Sequence, residues 1–474
     1  MGARAQSGTA GAGEERPLGE REVTASTIAN IGPGIDFYFA FGVVAVTAGV
    51  AAPLTILAAC LAVFLLAFVV AEFTRIEPSA GSFITYVQSA FGTAGGALTA
   101  LLIATGFTIA IAGVFTMSGG MISLTLDHYT SWHPDWLPIT LVMTLGAVGL
   151  TLRGAGQSTA VVAVALIIQV SVMVACCIAV LVDPSTHLSG APFHPSNLAN
   201  GLAGLSAGFP LALYMFIGWE NAPALAEETR DPQRTIPRAL YLSISLTTVL
   251  FVLFSYTTIA GFHYDTSSIG RASVPFLEMV DRYVGSWAIL AWLAGILSVL
   301  ATLVAAANSQ ARVLFDGGRT GLLPARLGVS RPPGETPVNA LATMTVLGLG
   351  IVLVWWLCHE TGLVGGTANP VDLYAESSTM GTILILFVYV LTAAALPVFI
   401  WRRHRSAFSP LRHVAVPALA GLSLVIPFIE LFQPGQPSPY DAFPYLAVAI
   451  LLAASVAARV VASRNPRAGE VAGA

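Results

Sequence analysis

Twelve apolar runs divide almost the whole chain, and only short polar connections separate them. They fall at about 24–49, 51–71, 97–124, 137–152, 159–182, 203–226, 239–262, 286–310, 337–357, 374–400, 413–432 and 442–463. A helix crossing the hydrocarbon core needs roughly 20 mostly apolar residues, so each run is a candidate span. Lipid offers no partner for backbone N–H and C=O groups, which leaves helices or a closed barrel as spanning structures. Strands of a barrel would alternate in polarity over about ten residues, and no such segments occur in the sequence. The expected fold class is an all-α polytopic membrane protein with 12 transmembrane helices. Composition agrees, since 55% of residues are hydrophobic and 10% are charged, against about 25% charged in soluble domains.

Orientation follows from the cations, because connections on the cytoplasmic side hold an excess of Lys and Arg. All 21 are Arg. With the N-terminus inside, every one except Arg271 and Arg282 falls on the cytoplasmic side of these twelve runs, which predicts cytoplasmic N- and C-termini. Residues 1–23 lack the apolar core of a cleavable leader and read as a disordered cytoplasmic tail, with a second tail at 464–474. Cys60, Cys176, Cys177 and Cys358 lie in or at the ends of apolar runs and read as packing residues. The eight His map to loops or helix ends, so neither metal nor cofactor is expected. The "RRHR" at 402–405 reads as a topology signal and lipid-headgroup contact, with no nucleic-acid role.

Two runs contain interruptions. The first carries "NIGPGIDF", where Gly32, Pro33 and Gly34 predict one half-helix ending near Ile31 and another starting near Ile35. Asp36 follows within the same run, although an ionisable group in a span costs about 2.5–3.5 kcal/mol on insertion scales and marks a wet or functional cavity. The sixth run carries "FIGWEN", pairing Gly218 with Glu220. Breaks in runs one and six are what a five-plus-five inverted repeat requires, with a binding site near the bilayer midplane where both helices open. The expected division is 24–182 and 203–400 for the two repeats, followed by 413–463. Glu72, Glu376 and Glu430, at run ends, read as side chains reaching for water.

Four segments then carry a resemblance: Gly32-Pro33-Gly34-Ile35, "EPSAGSFITYVQSAFG" (77–92), "FIGWENAPALAEETRDPQRTIPRAL" (216–240) and "NSQARVLFDGGRTGLLP" (308–324). They resemble the amino acid–polyamine–organocation permease superfamily, in its bacterial amino acid permease form. The resemblance implies a secondary transporter in the cytoplasmic membrane whose partners are an amino acid or related amine, protons and the bilayer. It implies a substrate carboxylate held by backbone N–H groups around Gly32–Ile35 and an ammonium held by carbonyls near Ile31 and Phe216, Ile217 and Gly218. Tyr214 matches an aromatic that lids the substrate, Trp219 is either a specificity wall or packing, and Glu220 matches a residue of proton coupling or gating. Pro33 departs from the pattern by removing one N–H donor, and Asp36 stands where an apolar residue is usual. A fifth-helix Lys found in some members is absent, and Gln169 is the polar candidate deep in run five.

Asp36 in the first turn of the second half-helix is expected to engage its N–H groups and dipole, which together with the donor lost at Pro33 favours a basic amino acid or an amine over an acidic substrate; with Glu220 it is also a candidate for proton coupling or the gate. Burial of Glu220 disfavours its charged form and suits it to proton exchange. A polyamine or organocation exchanger is the alternative within the class. Outside it stand a membrane enzyme using Asp36 and Glu220 as paired carboxylates, which lacks any supporting His, Lys or metal cluster, and a channel or non-transporting sensor.

Overall fold

Gly32 ends the first helix because its left-handed backbone (φ 68°, ψ 59°) cannot continue an α-helix. The structure, a computed structural model, describes residues 18–153, 155–330 and 336–465. Helix α1 runs over Glu20–Ile31, α2 over Pro33–Ala48, α3 over Ala52–Ile76, α4 over Phe83–Tyr129, α5 over Trp136–Thr151 and α6 over Ala155–Val182. Next come α7 (Leu202–Tyr214), a 3₁₀ stretch (Trp219–Glu228), α8 (Pro232–Gly261), the short α9 (Thr266–Arg271) and α10 (Pro275–Val284), and α11 (Ile289–Arg319). The chain closes with α12 (Val338–Glu360), α13 (Pro370–Arg403), α14 (Val416–Ser423), α15 (Val425–Leu431) and α16 (Phe443–Arg464).

Among the described residues ten helical segments are long and apolar enough to cross a membrane. No strand occurs among them, only one isolated bridge between Leu18 and Thr229. The chain is a multi-pass membrane protein. Large apolar side chains such as Leu61, Val142, Ile167 and Val249 are exposed on the outer faces, which lipid, unlike water, accommodates. Inside, α11 packs against α1, α2, α4 and the 3₁₀ stretch, and α13 packs against α4.

Where helices press closest, small residues allow it. A Cβ built on Gly381 of α13 would lie 2.7 Å from the Ala110 Cβ and 2.8 Å from the Gly106 carbonyl oxygen of α4. Gly381→Val should therefore destabilise the protein by about 1–3 kcal/mol through overpacking, read as a lower unfolding temperature in detergent. A full wild-type melting temperature in that variant would mean the two helices are not in contact.

Several expectations need correction. The expected tail through residue 23 is too long: α1 already starts at Glu20, where Glu20 and Glu22 sit in the first turn of the helix. Residues 1–17 and 466–474 lie outside the described residues. The first break is narrower than read, because Pro33 occupies the first position of α2, where its fixed φ suits a helix and its missing N–H is not needed. The motif at 77–92 is helical from Phe83, with a bend at Gly92. The motif at 308–324 is helical through Arg319, and 232–238 belongs to α8. Glu72 does not reach for water: it is 6% exposed and takes Arg75 (2.5 Å), Arg412 (3.1 Å) and His413 (3.2 Å).

Candidate functional site

At the first break the N-terminal N–H groups of α2 are nearly all engaged. Pro33 has none, Ile35 donates to Ser298 Oγ (3.0 Å) and Asp36 donates to the Gly32 carbonyl (3.0 Å). A Cβ on Gly32 would sit 2.6 Å from Thr302 Oγ1, and one on Gly34 the same distance from Ser298 Oγ. Both glycines thus let α11 close against the break. Gln169 reaches the same place from α6, fully buried, with its Oε1 3.3 Å from that Gly34 Cβ position and neither amide atom hydrogen-bonded.

The second break follows α7 at Tyr214. Gly218 has φ 110°, and a Cβ there would lie 2.4 Å from the Asn30 carbonyl oxygen and 2.8 Å from the Ile31 nitrogen. The two interruptions therefore touch, backbone against backbone. Glu220 turns back on its own break, its Oε2 accepting from the Gly218 N–H at 2.7 Å. The hydroxyl of Tyr389 is a neighbour of the same buried carboxyl group. Trp219 is buried with its ring 5.6 Å from that of Tyr389.

Between the breaks lies a cavity of about 50 Å³, room for a few waters. Of the residues singled out from the sequence, Asp36, Tyr214, Ile217, Gly218 and Glu220 line it. Ile31, Gly32, Pro33, Gly34, Ile35, Phe216 and Trp219 are not among the lining residues. The larger apolar groove beside α15, about 510 Å³ with Phe428 and Phe432 on its wall, shares no residue with either break.

Asp36 does something other than expected. Its described hydrogen bonds run to no N–H of its own first turn. Instead Oδ1 accepts from the Tyr374 hydroxyl of α13 at 2.5 Å, with the Tyr214 hydroxyl at 3.5 Å and donating to Tyr374 at 2.8 Å. Tyr374 went unread in the sequence, as did Ser298, Thr302 and Thr382. A signal was present: Tyr374, Ser378 and Thr382 repeat every four residues along run ten, and Ser298 and Thr302 do so along run eight, each a polar stripe on one helix face.

A family model described as amino acid permease matches residues 18–454. The chain belongs to the amino acid permease family. Over 87% of its length the permease is 25% identical to the branched-chain amino acid permease BcaP of Bacillus subtilis (strain 168), covering 86% of that protein. It is 25% identical, over 64% of each chain, to the D-serine/D-alanine/glycine transporter of Escherichia coli (strain K12). It is also 23% identical to the chloroplastic cationic amino acid transporter 7 of Arabidopsis thaliana, over 60% of this chain and 51% of that one. The permease is thus an amino acid transporter and not an enzyme.

Proposed function

We propose that the permease is a secondary active transporter working by alternating access around the cavity between its two breaks, moving an amino acid across the cytoplasmic membrane by proton-coupled symport or exchange. The observation that carries this reading is the contact of Gly218 with Asn30 and Ile31, which makes one site out of two interrupted spans. Twelve crossings fit the ten long segments: Glu20–Ile76 spans 57 residues, enough for two passes, and the 16-residue Trp136–Thr151 adds another. The inverted repeat then covers 24–182 and 203–400, with both termini cytoplasmic. Backbone carbonyls near Ile31 and Phe216–Gly218, each with a second lone pair to offer, receive the substrate ammonium, Tyr214 covers it, and Glu220 exchanges the coupling proton.

The arginine-rich face is held shut. Leu18 N–H donates to the Glu228 carbonyl (2.7 Å), Arg230 N–H donates to the Leu18 carbonyl (2.9 Å), Arg312 pairs with Glu228, and Arg319 bridges Glu227 and Asp316 at 2.6 Å each. A cavity this small must widen before it admits an amino acid, and this clasp is the barrier on that side. Glu228→Gln, in a background without the four native cysteines, should raise severalfold the labelling of Ala306→Cys by a membrane-impermeant thiol reagent applied to the cytoplasmic face. Unchanged labelling would mean the clasp does not guard the cavity.

Counterflow tests the reading as a whole. Unlabelled substrate inside proteoliposomes should speed entry of labelled substrate, because a carrier returns faster when loaded. Entry indifferent to internal substrate, or passing as a steady current, would point to a channel instead.

A further inference from the structure

We infer that Asp36, with Tyr374 and Tyr214 behind it, forms a seat for a second cationic group on the substrate, so that the permease prefers a basic amino acid to an aliphatic or acidic one. The inference rests on the transport reading above and adds the substrate class.

The electrostatics of the cavity carry it. Two carboxyl side chains, Asp36 and Glu220, line the cavity, and among its lining residues there is no Arg or His; the chain has no Lys. Both tyrosine contacts of Asp36 use Oδ1, which leaves Oδ2 as the oxygen for a ligand. The hydroxyls fix the orientation of the carboxyl group, and a phenol carries no positive charge that would repel an incoming cation.

Independent of Asp36, three buried polar oxygens on the cavity wall have no hydrogen-bond partner: Thr302 Oγ1, Gln310 Oε1 and Thr382 Oγ1. Their residues are each at least nine-tenths buried. Unpaired buried polar atoms are costly, so a ligand that satisfies these is favoured. All three can accept. An ammonium is a donor-only group with three N–H bonds and can satisfy all of them, whereas a carboxylate, which only accepts, can be met by the two threonine hydroxyls but not by Gln310 Oε1.

Two of the N–H donors with which a helix start would attract an anion are already engaged. At α2, Pro33 lacks the donor and Ile35 is held by Ser298; at the 3₁₀ stretch, the Glu220 carboxyl itself sits on the Gly218 N–H. A second carboxylate on a substrate would meet the Asp36 and Glu220 carboxyl groups and no Arg or His among the lining residues. Asp36 stands one turn beyond Gly32, about 6 Å along the helix, a separation that matches the aliphatic stem between the two cationic groups of a basic amino acid. Phe107, Ile111, Val114 and Ile385 supply apolar walls for such a stem.

The test pairs binding with uptake. Lysine should raise the unfolding temperature of the purified permease in detergent and should be displaced by 1,5-diaminopentane, with leucine and glutamate far weaker. Asp36→Asn should weaken lysine binding by at least about tenfold while changing leucine binding little. Tyr374→Phe, which keeps the ring but drops the donor, should weaken lysine in the same direction and less. Preference of the unmutated protein for leucine or glutamate would overturn the seat, as would equal losses of lysine and leucine in Asp36→Asn. Lysine binding without uptake in proteoliposomes would leave the seat standing and remove the transport reading; uptake of leucine but not lysine would do the reverse.

Discussion

Gly218→Ala should reduce transport to background. The substitution meets two penalties at once. A non-glycine residue in the left-handed region costs about 1–2 kcal/mol, and the new Cβ would lie 2.4 Å from the Asn30 carbonyl oxygen. Neither neighbour can yield cheaply, because the clash is with backbone rather than with the end of a flexible side chain. The 3₁₀ stretch must therefore shift away from α1, separating the two halves of the site. Uptake in proteoliposomes and thermal unfolding together check this: lost uptake with a modest fall in melting temperature is the expected pair. Wild-type uptake in Gly218→Ala would mean the touching breaks are not the transport site.

Glu220→Gln is expected to collapse gradient-driven accumulation to an inside-to-outside ratio of about one, while exchange of labelled for unlabelled substrate continues. Gln keeps the shape and can still accept from the Gly218 N–H that Glu220 now receives at 2.7 Å, so the break survives. It cannot exchange a proton in the physiological range. Isotope accumulation under an imposed pH gradient, measured beside exchange at equal pH, separates the two functions. Accumulation that persists in Glu220→Gln would leave Glu220 a purely structural role and send the search for the coupling group elsewhere.

The class of fold was legible because a span of about 20 apolar residues has few alternatives in lipid. The positions of both breaks were legible for a related reason. Glycine, proline and a carboxylate together inside an apolar run violate the local rule strongly enough to stand out, and Gly32 and Gly218 both have positive φ.

What could not be read was which side chains meet across the bundle. Asp36 was expected to serve its own helix start, a local interaction that sequence spacing can suggest. It is held instead by Tyr374, 338 positions away, whose ring also meets Phe39 of α2. Glu72 shows the same limit. Its place at a run end suggested water, yet Arg412 and His413, from the segment leading into α14, return to it and bury it. Helix ends were also read too short where polar residues continue a helix beyond the apolar run, as in α11, whose segment from Asn308 to Arg319 is helical and carries Arg312 and Arg319 onto the inner clasp. Apolar periodicity reports lipid contact, and it ends before the helix does.

The most direct test of the central claim, that the permease carries an amino acid through the cavity between its two breaks, is uptake of isotope-labelled amino acids by proteoliposomes holding the purified protein, with recovery of the label. The account predicts saturable uptake, label recovered chemically unchanged from the lumen, and loss of both in Gly218→Ala. Label that stays outside for every amino acid tried, or that is recovered as a different compound, would contradict it.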